Sequence, residues 1–307
     1  MKIFYNLAAI ALLIFCFLIG WNIAVHSKSS SEFFIPHVES KKENEIPHLS
    51  SKDDSSADIE YSSGESPGIE IAPVAPPIPL DVDIESHLEQ FRLQAKKLNK
   101  SLPDTFFISG PHEDKKVALT FDDGPDKHTT AKIMEILNEL GVKATFFVVG
   151  EKAEKHPSII QSLFDSGHQV ANHSWSHKRP LSMNTEELME EIDKTNAILA
   201  DILNLPDDRF IYFRPPYGLV TAEQLEALKE RGYKAICWSI DSMDWYTSSA
   251  EEIEKCVVQP AHPGAIVLMH SAGGKDQRAG TLKALPRIIE ELSKQGYKFV
   301  TIDELLK

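Results

Sequence analysis

From residue 116 onward the chain alternates short apolar runs with stretches of 10 to 20 residues of helical periodicity, and this alternation restricts its fold most. VALTFDDG (117–124), KATFFVVG (143–150), HQVANHSWSH (168–177), FIYFRPPYG (210–218), YKAICWSID (233–241), AIVLMHS (265–271) and YKFVTID (297–303) read as seven strands. Between them HTTAKIMEILNELG, HPSIIQSLFDSG, TEELMEEIDKTNAILADILN, TAEQLEALKERG, SAEEIEKCVVQ and TLKALPRIIEELSKQG read as helices. Strands joined through helices pair in parallel with right-handed crossovers, in an open doubly wound sheet or a closed barrel. No dinucleotide-type glycine loop follows the first strand, which removes the main support for a nucleotide-binding sheet. The expectation is an α/β fold, a barrel short of eight strands, with about seven parallel strands over residues 115–307.

The first 114 residues read differently. Residues 3–25 are 23 positions without a charge, long enough to span a bilayer as a helix. A transmembrane anchor over 1–27 is favoured over a cleaved signal peptide, and either exports the remainder of the chain. Residues 28–80 are serine-rich and acidic and end in IAPVAPPIP; from 29 to 80 ten acids face three lysines, half of the whole chain's net charge of −14. That composition predicts a disordered tether. Residues 81–114 read as a helical lead-in, through DIESHLEQFRLQAKKLNK, packed on the domain after it. The negative charge argues against a nucleic-acid partner. Of three cysteines, Cys16 lies in the apolar N-terminal run, and Cys237 and Cys256 read as free thiols.

The chemically unusual residues fall at the carboxyl ends of the predicted strands, the face on which such folds build active sites. Asp122 and Asp123 follow the first strand, His173 and His177 the third, and Arg214 and Tyr217 the fourth. Asp241, Asp244 and Trp245 follow the fifth, and His270 the sixth. Two histidines four apart with one aspartate form a catalytic zinc set with an open position, although iron oxygenases use the same ligands. The doublet is expected just past its strand's regular end, where one aspartate binds metal and the other faces water. Arg214 is suited to hold a carboxylate ionised. Pro215 stiffens the next loop, leaving the Tyr217 N–H to meet an oxyanion. His270 is suited to protonating a leaving amine, with Asp244 orienting it. Trp245, Tyr217 and Leu268 supply an apolar wall. The set describes metal-assisted hydrolysis of a carbonyl compound; a sugar does not follow from spacing.

In order and spacing, TFDDGP, HSWSH, RPPYG, DSMDW and LMH resemble the five motifs of the polysaccharide deacetylases of carbohydrate esterase family 4. The resemblance covers about residues 115–307 and implies a deformed (β/α) barrel that hydrolyses N-acetyl, sometimes O-acetyl, groups on glycans. By motif it makes Asp122 the general base, and Asp123, His173 and His177 the ligands of Zn2+, with Co2+ as another occupant. It makes Arg214 a brace for Asp122, the Tyr217 N–H an oxyanion donor, and Asp244 the tuner of the acid His270. Trp245 and Leu268 become the acetyl pocket, Pro215 part of the oxyanion loop, and residues 272–278 a border of the substrate groove. Asp241 receives no role. The expected partners are an acetylated glycan and, through the N-terminal segment, the bacterial cell membrane, with a monomeric catalytic domain outside it; secretion is the alternative. Peptidoglycan N-acetylglucosamine leads as substrate. Muramic acid, chitooligosaccharide and poly-N-acetylglucosamine stay open, as do a non-catalytic glycan-binding module and a cyclic-imide hydrolase.

Overall fold

Strand β2 (Lys116–Gly124) is buried along nearly its whole length, so both of its faces must be covered. Val117, Leu119 and Phe121 pack outward against helices, while Ala118 turns to the other face. A computed structural model describes residues 84–273 and 277–307. The anchor or signal peptide expected over 1–27 and the tether over 28–80 lie outside the described residues. Among the described residues no helix is long and apolar enough to cross a membrane.

The elements before the first long loop are α1 (Ile84–Ser101), β1 (Phe106–Phe107), β2, α2 (Thr129–Glu139), β3 (Thr145–Val148), α3 (Gly150–Lys155), α4 (Pro157–Asp165) and β4 (Gln169–Asn172). After it come α5 (Thr185–Leu203), β5 (Tyr212–Phe213), α6 (Ala222–Glu230), β6 (Lys234–Ile236), β7 (Ile240–Asp241) and α7 (Ala250–Val258). The chain closes with β8 (Ala265–His270), α8 (Ala279–Lys294), β9 (Lys298–Phe299) and α9 (Ile302–Leu305). The strands form one sheet in the order β1-β6-β5-β4-β3-β2-β8-β7, with β9 beside the start of β2. All of these ladders are parallel.

The sheet curls because its two ends share one short piece of chain. Ile236 pairs with Phe107 near one end and Ile240 with Val267 at the other, four residues on. Four residues reach about 14 Å at most. Between them the chain changes partners: the Cys237 N–H donates to Phe107 O at 2.7 Å and the Ser239 N–H to Ile266 O at 3.1 Å. Past β1, Ser109 bridges Ala265 and the Gly110 N–H donates to Gly264 O at 2.8 Å. The result is a curled parallel sheet wrapped by helices, consistent with a (β/α) barrel.

Three differences separate the observed strands from the expected ones. YKAICWSID is two strands, β6 and β7, because of that change of partner. YKFVTID stops at Phe299, because Thr301 and Glu304 form a capping box that starts α9. Phe106–Phe107 was not anticipated as a strand; two residues carry no periodicity. Cys237 and Cys256 are free.

Inside the curl, Ala118, Phe147, Ala171, Tyr212, Ile236 and Ile266 make an apolar layer from six strands, joined by Ile302 and Leu305 of α9. The larger outer core packs β2, β3 and β8 against α2, α4, α7 and α8. A second outer core joins α1, α5 and α6 to β5 and β6, and α1 lays Phe91 on Trp238 at a centroid distance of 5.0 Å.

Candidate active site

Alternation along β2 puts Thr120 and Asp122 on the inward face above Ala118. The apolar layer stops there, and a polar layer begins with Arg214. This guanidinium is fully buried, and each of its three nitrogens has a partner. It donates to Thr120 Oγ1 and Asp122 Oδ1, both at 2.7 Å, to Ile236 O at 3.1 Å and to Cys237 O at 3.2 Å. Its planar head lies 4.1 Å above the Phe147 ring. A buried charge survives only with this degree of compensation.

Asp123 should point away from Asp122, and a bulge prevents it. Phe121 pairs with Phe146 but Gly124 with Val148, so β2 spends one extra residue against β3. Asp123 takes that place at φ 70°, in the left-handed region. Lys152 of α3 holds the kink by donating to Asp123 O at 2.8 Å. The doublet therefore converges within the strand, not beyond its end as expected. β2 hydrogen-bonds through Gly124.

Asp123 Oδ1 lies 3.0 Å from His177 Nε2 and 3.5 Å from His173 Nε2. These three atoms fall within 4.8 Å of one another, close enough to share one ion. The fit extends past the ligands. His173 Nδ1 is 2.8 Å from Arg214 O, which takes the ring proton there and leaves Nε2 bare for a metal. Burial alone would raise the Asp123 pKa, but hydrogen bonds to His173 and His177 and the charges of His177 and His270 hold it well below the usual range. Asp122 Oδ2 stands 3.6 Å from His173 Nε2, so the doublet's two carboxylates flank the same histidine.

His270 faces Asp122 across the β2–β8 ladder, the two being register partners. Its Nδ1 is 2.6 Å from Asp244 Oδ1, and its N–H donates to Asp244 Oδ2 at 3.0 Å. Asp244 also accepts from Thr281 Oγ1 at 2.9 Å. For His270, burial works against the proton, but the Asp244 charge and hydrogen bond, with Asp123 behind them, push the pKa up to about 8. Burial likewise opposes the charge on Asp244, and the His270 charge outweighs it and lowers the Asp244 pKa. Leu268 lies two residues before His270 on the same strand and is buried.

Pro215 and Tyr217 lie on the loop after β5. Pro215 O accepts from the Gly218 N–H at 2.9 Å, closing a tight turn with Tyr217 at φ 61°. Among the described residues no acceptor takes the Tyr217 N–H, and its ring packs 5.0 Å from His177. Trp245 sits on the loop with Asp244, but its indole N–H turns to Asp241 Oδ1 at 3.1 Å. Asp241 also accepts from the Met243 N–H at 2.8 Å, so it shapes this loop, a role its position in sequence did not disclose. Arg278, expected only as part of a loop bordering the groove, also has a role the sequence did not disclose. It is buried and donates to Asp244 O at 2.7 Å and Ala272 O at 2.9 Å, tying two site loops together. An arginine in a polar loop gives no sign of such a turn inward. A concavity of about 530 Å3 between α5 and α6, lined by Met189, Glu223 and Arg231 among others, touches none of these groups.

With this geometry in place, comparison with known proteins identifies the class. Residues 109–236 match the polysaccharide deacetylase family. Over 202 residues the chain is 38% identical to a peptidoglycan-N-acetylglucosamine deacetylase of Bacillus cereus, covering 66% of this chain and 72% of that protein. It is 32% identical over 216 residues to a peptidoglycan-N-acetylmuramic acid deacetylase of Bacillus subtilis, covering 69% and 79%. The crystal structure of a peptidoglycan N-acetylglucosamine deacetylase superposes with a TM-score of 0.62 at 38% identity, covering 65% of this chain and 91% of that one. A family 4 pseudoenzyme from Bacillus anthracis superposes at 0.60 with 30% identity, covering 66% and 68%. The protein is thus a hydrolase of the type that cleaves N-acetyl amide bonds. It belongs to the polysaccharide deacetylases of carbohydrate esterase family 4.

Proposed function

We propose that this chain removes N-acetyl groups from a cell-envelope glycan, with peptidoglycan N-acetylglucosamine as the leading substrate. One observation carries the reading: a three-ligand group, Asp123, His173 and His177, adjoins an Arg214-paired carboxylate whose ladder partner is an Asp244-paired imidazole. Similarity to the Bacillus cereus enzyme supports the choice of sugar. Muramic acid is the second reading, favoured by the Bacillus subtilis relative. The N-terminal 27 residues support display of the catalytic domain outside a bacterial membrane.

Two nitrogens and one oxygen suit zinc, with cobalt an alternative occupant. A divalent cation held there supplies Lewis acidity, acidifying water and polarising an amide carbonyl. The chain's own residues do the rest. Asp122, paired with Arg214, accepts the proton of the attacking water. The Tyr217 N–H donates to the carbonyl oxygen as negative charge builds on it. His270, protonated through Asp244, passes its proton to the departing nitrogen, so that acetate and a free amine leave. Leu268 and Trp245 bound the space for the acetyl methyl, and Pro215 keeps the Tyr217 amide in place.

Because one structural neighbour is a family 4 pseudoenzyme, turnover and binding are read separately. The test is mass spectrometry of peptidoglycan fragments, N-acetylglucosamine oligomers and a cyclic imide after treatment with the zinc-loaded protein. We expect acetyl loss from the glucosamine residues of peptidoglycan. Binding without acetyl loss on any glycan would favour the non-catalytic module, and turnover of the imide alone would favour the small-amide hydrolase. Asp122→Asn should keep its metal and lose 100-fold or more of turnover, in the range of about 10²–10⁴ typical of a lost general base. His173→Ala should lose the metal itself. Metal analysis of the two variants decides the division of labour; loss of zinc from Asp122→Asn would mean the aspartates' roles are exchanged.

A further inference from the structure

The loop after β4 carries His173 and His177, yet its own conformation does not favour their spacing. Ser174 at φ 63° and His177 at φ 59° both occupy the left-handed region that side-chain-bearing residues avoid. Bonds from outside must hold it. The Ser174 N–H donates to Asn172 Oδ1 at 2.8 Å. The carbonyls of Ser174 and Trp175 accept from the N–H groups of Gly150 and Glu151, at 3.0 and 3.1 Å. Gly150 has no side chain to spare: a Cβ would lie 2.7 Å from Thr195 Oγ1 and against the Trp175 ring.

The His177 N–H donates within the loop to Ser174 Oγ at 3.1 Å, and the amides of Trp175 and Ser176 converge on one carboxylate. Glu191, in the middle of α5, takes the N–H of Trp175 at 2.9 Å and of Ser176 at 2.7 Å on Oε2. Its Oε1 takes the Ser176 hydroxyl at 2.8 Å. Among the described residues Glu191 makes no ion pair with lysine or arginine, so its charge is directed to the loop. The next turn of the same helix holds the loop's other end: Asn172 Nδ2 donates to Ile192 O at 2.9 Å and Asn196 Oδ1 at 2.6 Å. Hydrogen bonds that a carboxylate accepts, as Glu191 does, are short and directional.

We propose that Glu191 is a positioning residue of the metal centre, setting the separation of His173 and His177 and so the affinity for the cation. This rests on the reading that Asp123, His173 and His177 are the ligands. The test is titration of the metal-free protein with Co2+, followed by visible absorbance, alongside far-ultraviolet circular dichroism and thermal melting of the same samples. Glu191→Gln keeps the size and one oxygen for the two loop amides, but it loses the carboxylate and puts an NH2 where Oε1 accepts the Ser176 hydroxyl; Glu191→Ala removes all three bonds; Glu190→Gln, on the exposed side of α5, is the control. Outer partners of metal ligands typically contribute about 10–100-fold to affinity. We expect Co2+ to bind Glu191→Gln 10-fold more weakly or worse with an altered band shape, while its dichroism and the control's affinity match the wild type. Affinity within twofold of wild type in Glu191→Gln would overturn the proposal, whether or not Glu191→Ala folds. If the wild type itself gives no cobalt spectrum, the ligand assignment fails, and this inference fails with it.

Discussion

At Asp122 one carboxylate oxygen meets the Arg214 guanidinium at 2.7 Å while the other stands 3.6 Å from His173. At His270 the arrangement is the reverse, an imidazole held against the buried Asp244 carboxylate at 2.6 Å. In the second pair the Asp244 carboxylate favours an imidazole that carries its proton. A His270 pKa pushed up to about 8 from the ordinary 6.5 means that the folded protein favours the proton. Any stabilisation this provides is complete below about pH 6.5 and is lost as pH rises through about 8. Turnover that needs the proton should fall over the same upper limb. Replacing Asp244 by Asn removes the charge that raises the value, so the falling limb of the pH–kcat profile should move to lower pH. A limb unmoved in Asp244→Asn would assign it to another group.

Among elements, β2 and α5 contribute most to the site. β2 delivers two neighbouring carboxylates to one place only because its bulge puts Asp123 at φ 70°. Asp123, Ser174, His177, Tyr217 and Met243 all adopt left-handed backbone on the site's own segments. Backbone strain of this kind gathers where surrounding structure enforces a functional geometry. α5 is built to supply that enforcement. Asn184 and Glu187 form a capping box at its start, satisfying amides that would otherwise be left without partners. Asn184→Ala should lower stability by about 1 kcal/mol in urea titration. The cap lies almost two turns before Glu191, so cobalt affinity should stay at the wild-type value in the same variant.

For the whole molecule, the curl of the sheet decides which residues meet. Closure depends on the segment before residue 115, because Ser109 and Gly110 bond to the start of β8 and Phe106 is fully buried in the second outer core. A fragment of residues 81–307 contains every side chain of the site and should deacetylate soluble oligomers at the full-length rate. A fragment beginning at residue 112 loses α1, β1 and Phe106, whose burial alone stabilises by roughly 2–3 kcal/mol. It should melt well below the longer fragment in circular dichroism and lose turnover. Equal melting temperatures would show that β1 is dispensable.

Much of the fold and most of the site were legible in the order of residue types. Alternating apolar runs and helical stretches imply parallel strands, and polar residues at the ends of those runs mark one face, because these are properties of local periodicity. Asp122, Asp123, His173, His177, Arg214, Asp244 and His270 could be named from that pattern and from the family motifs. What depends on distant contact could not. β1 is two residues whose strand character comes from β6, and the partner change at Cys237–Ser239 exists only once the sheet curls. Glu191 and Arg278 look like ordinary surface charges, and Asp241 like a site residue without a task, until folding sets them against loop amides and carbonyls. Local sequence thus determined which groups were available and on which strand they rode. The tertiary structure decided which backbone atoms those groups would hold, because hydrogen bonds across 16 residues or more, as from the Trp175 N–H to Glu191, leave no period in the chain.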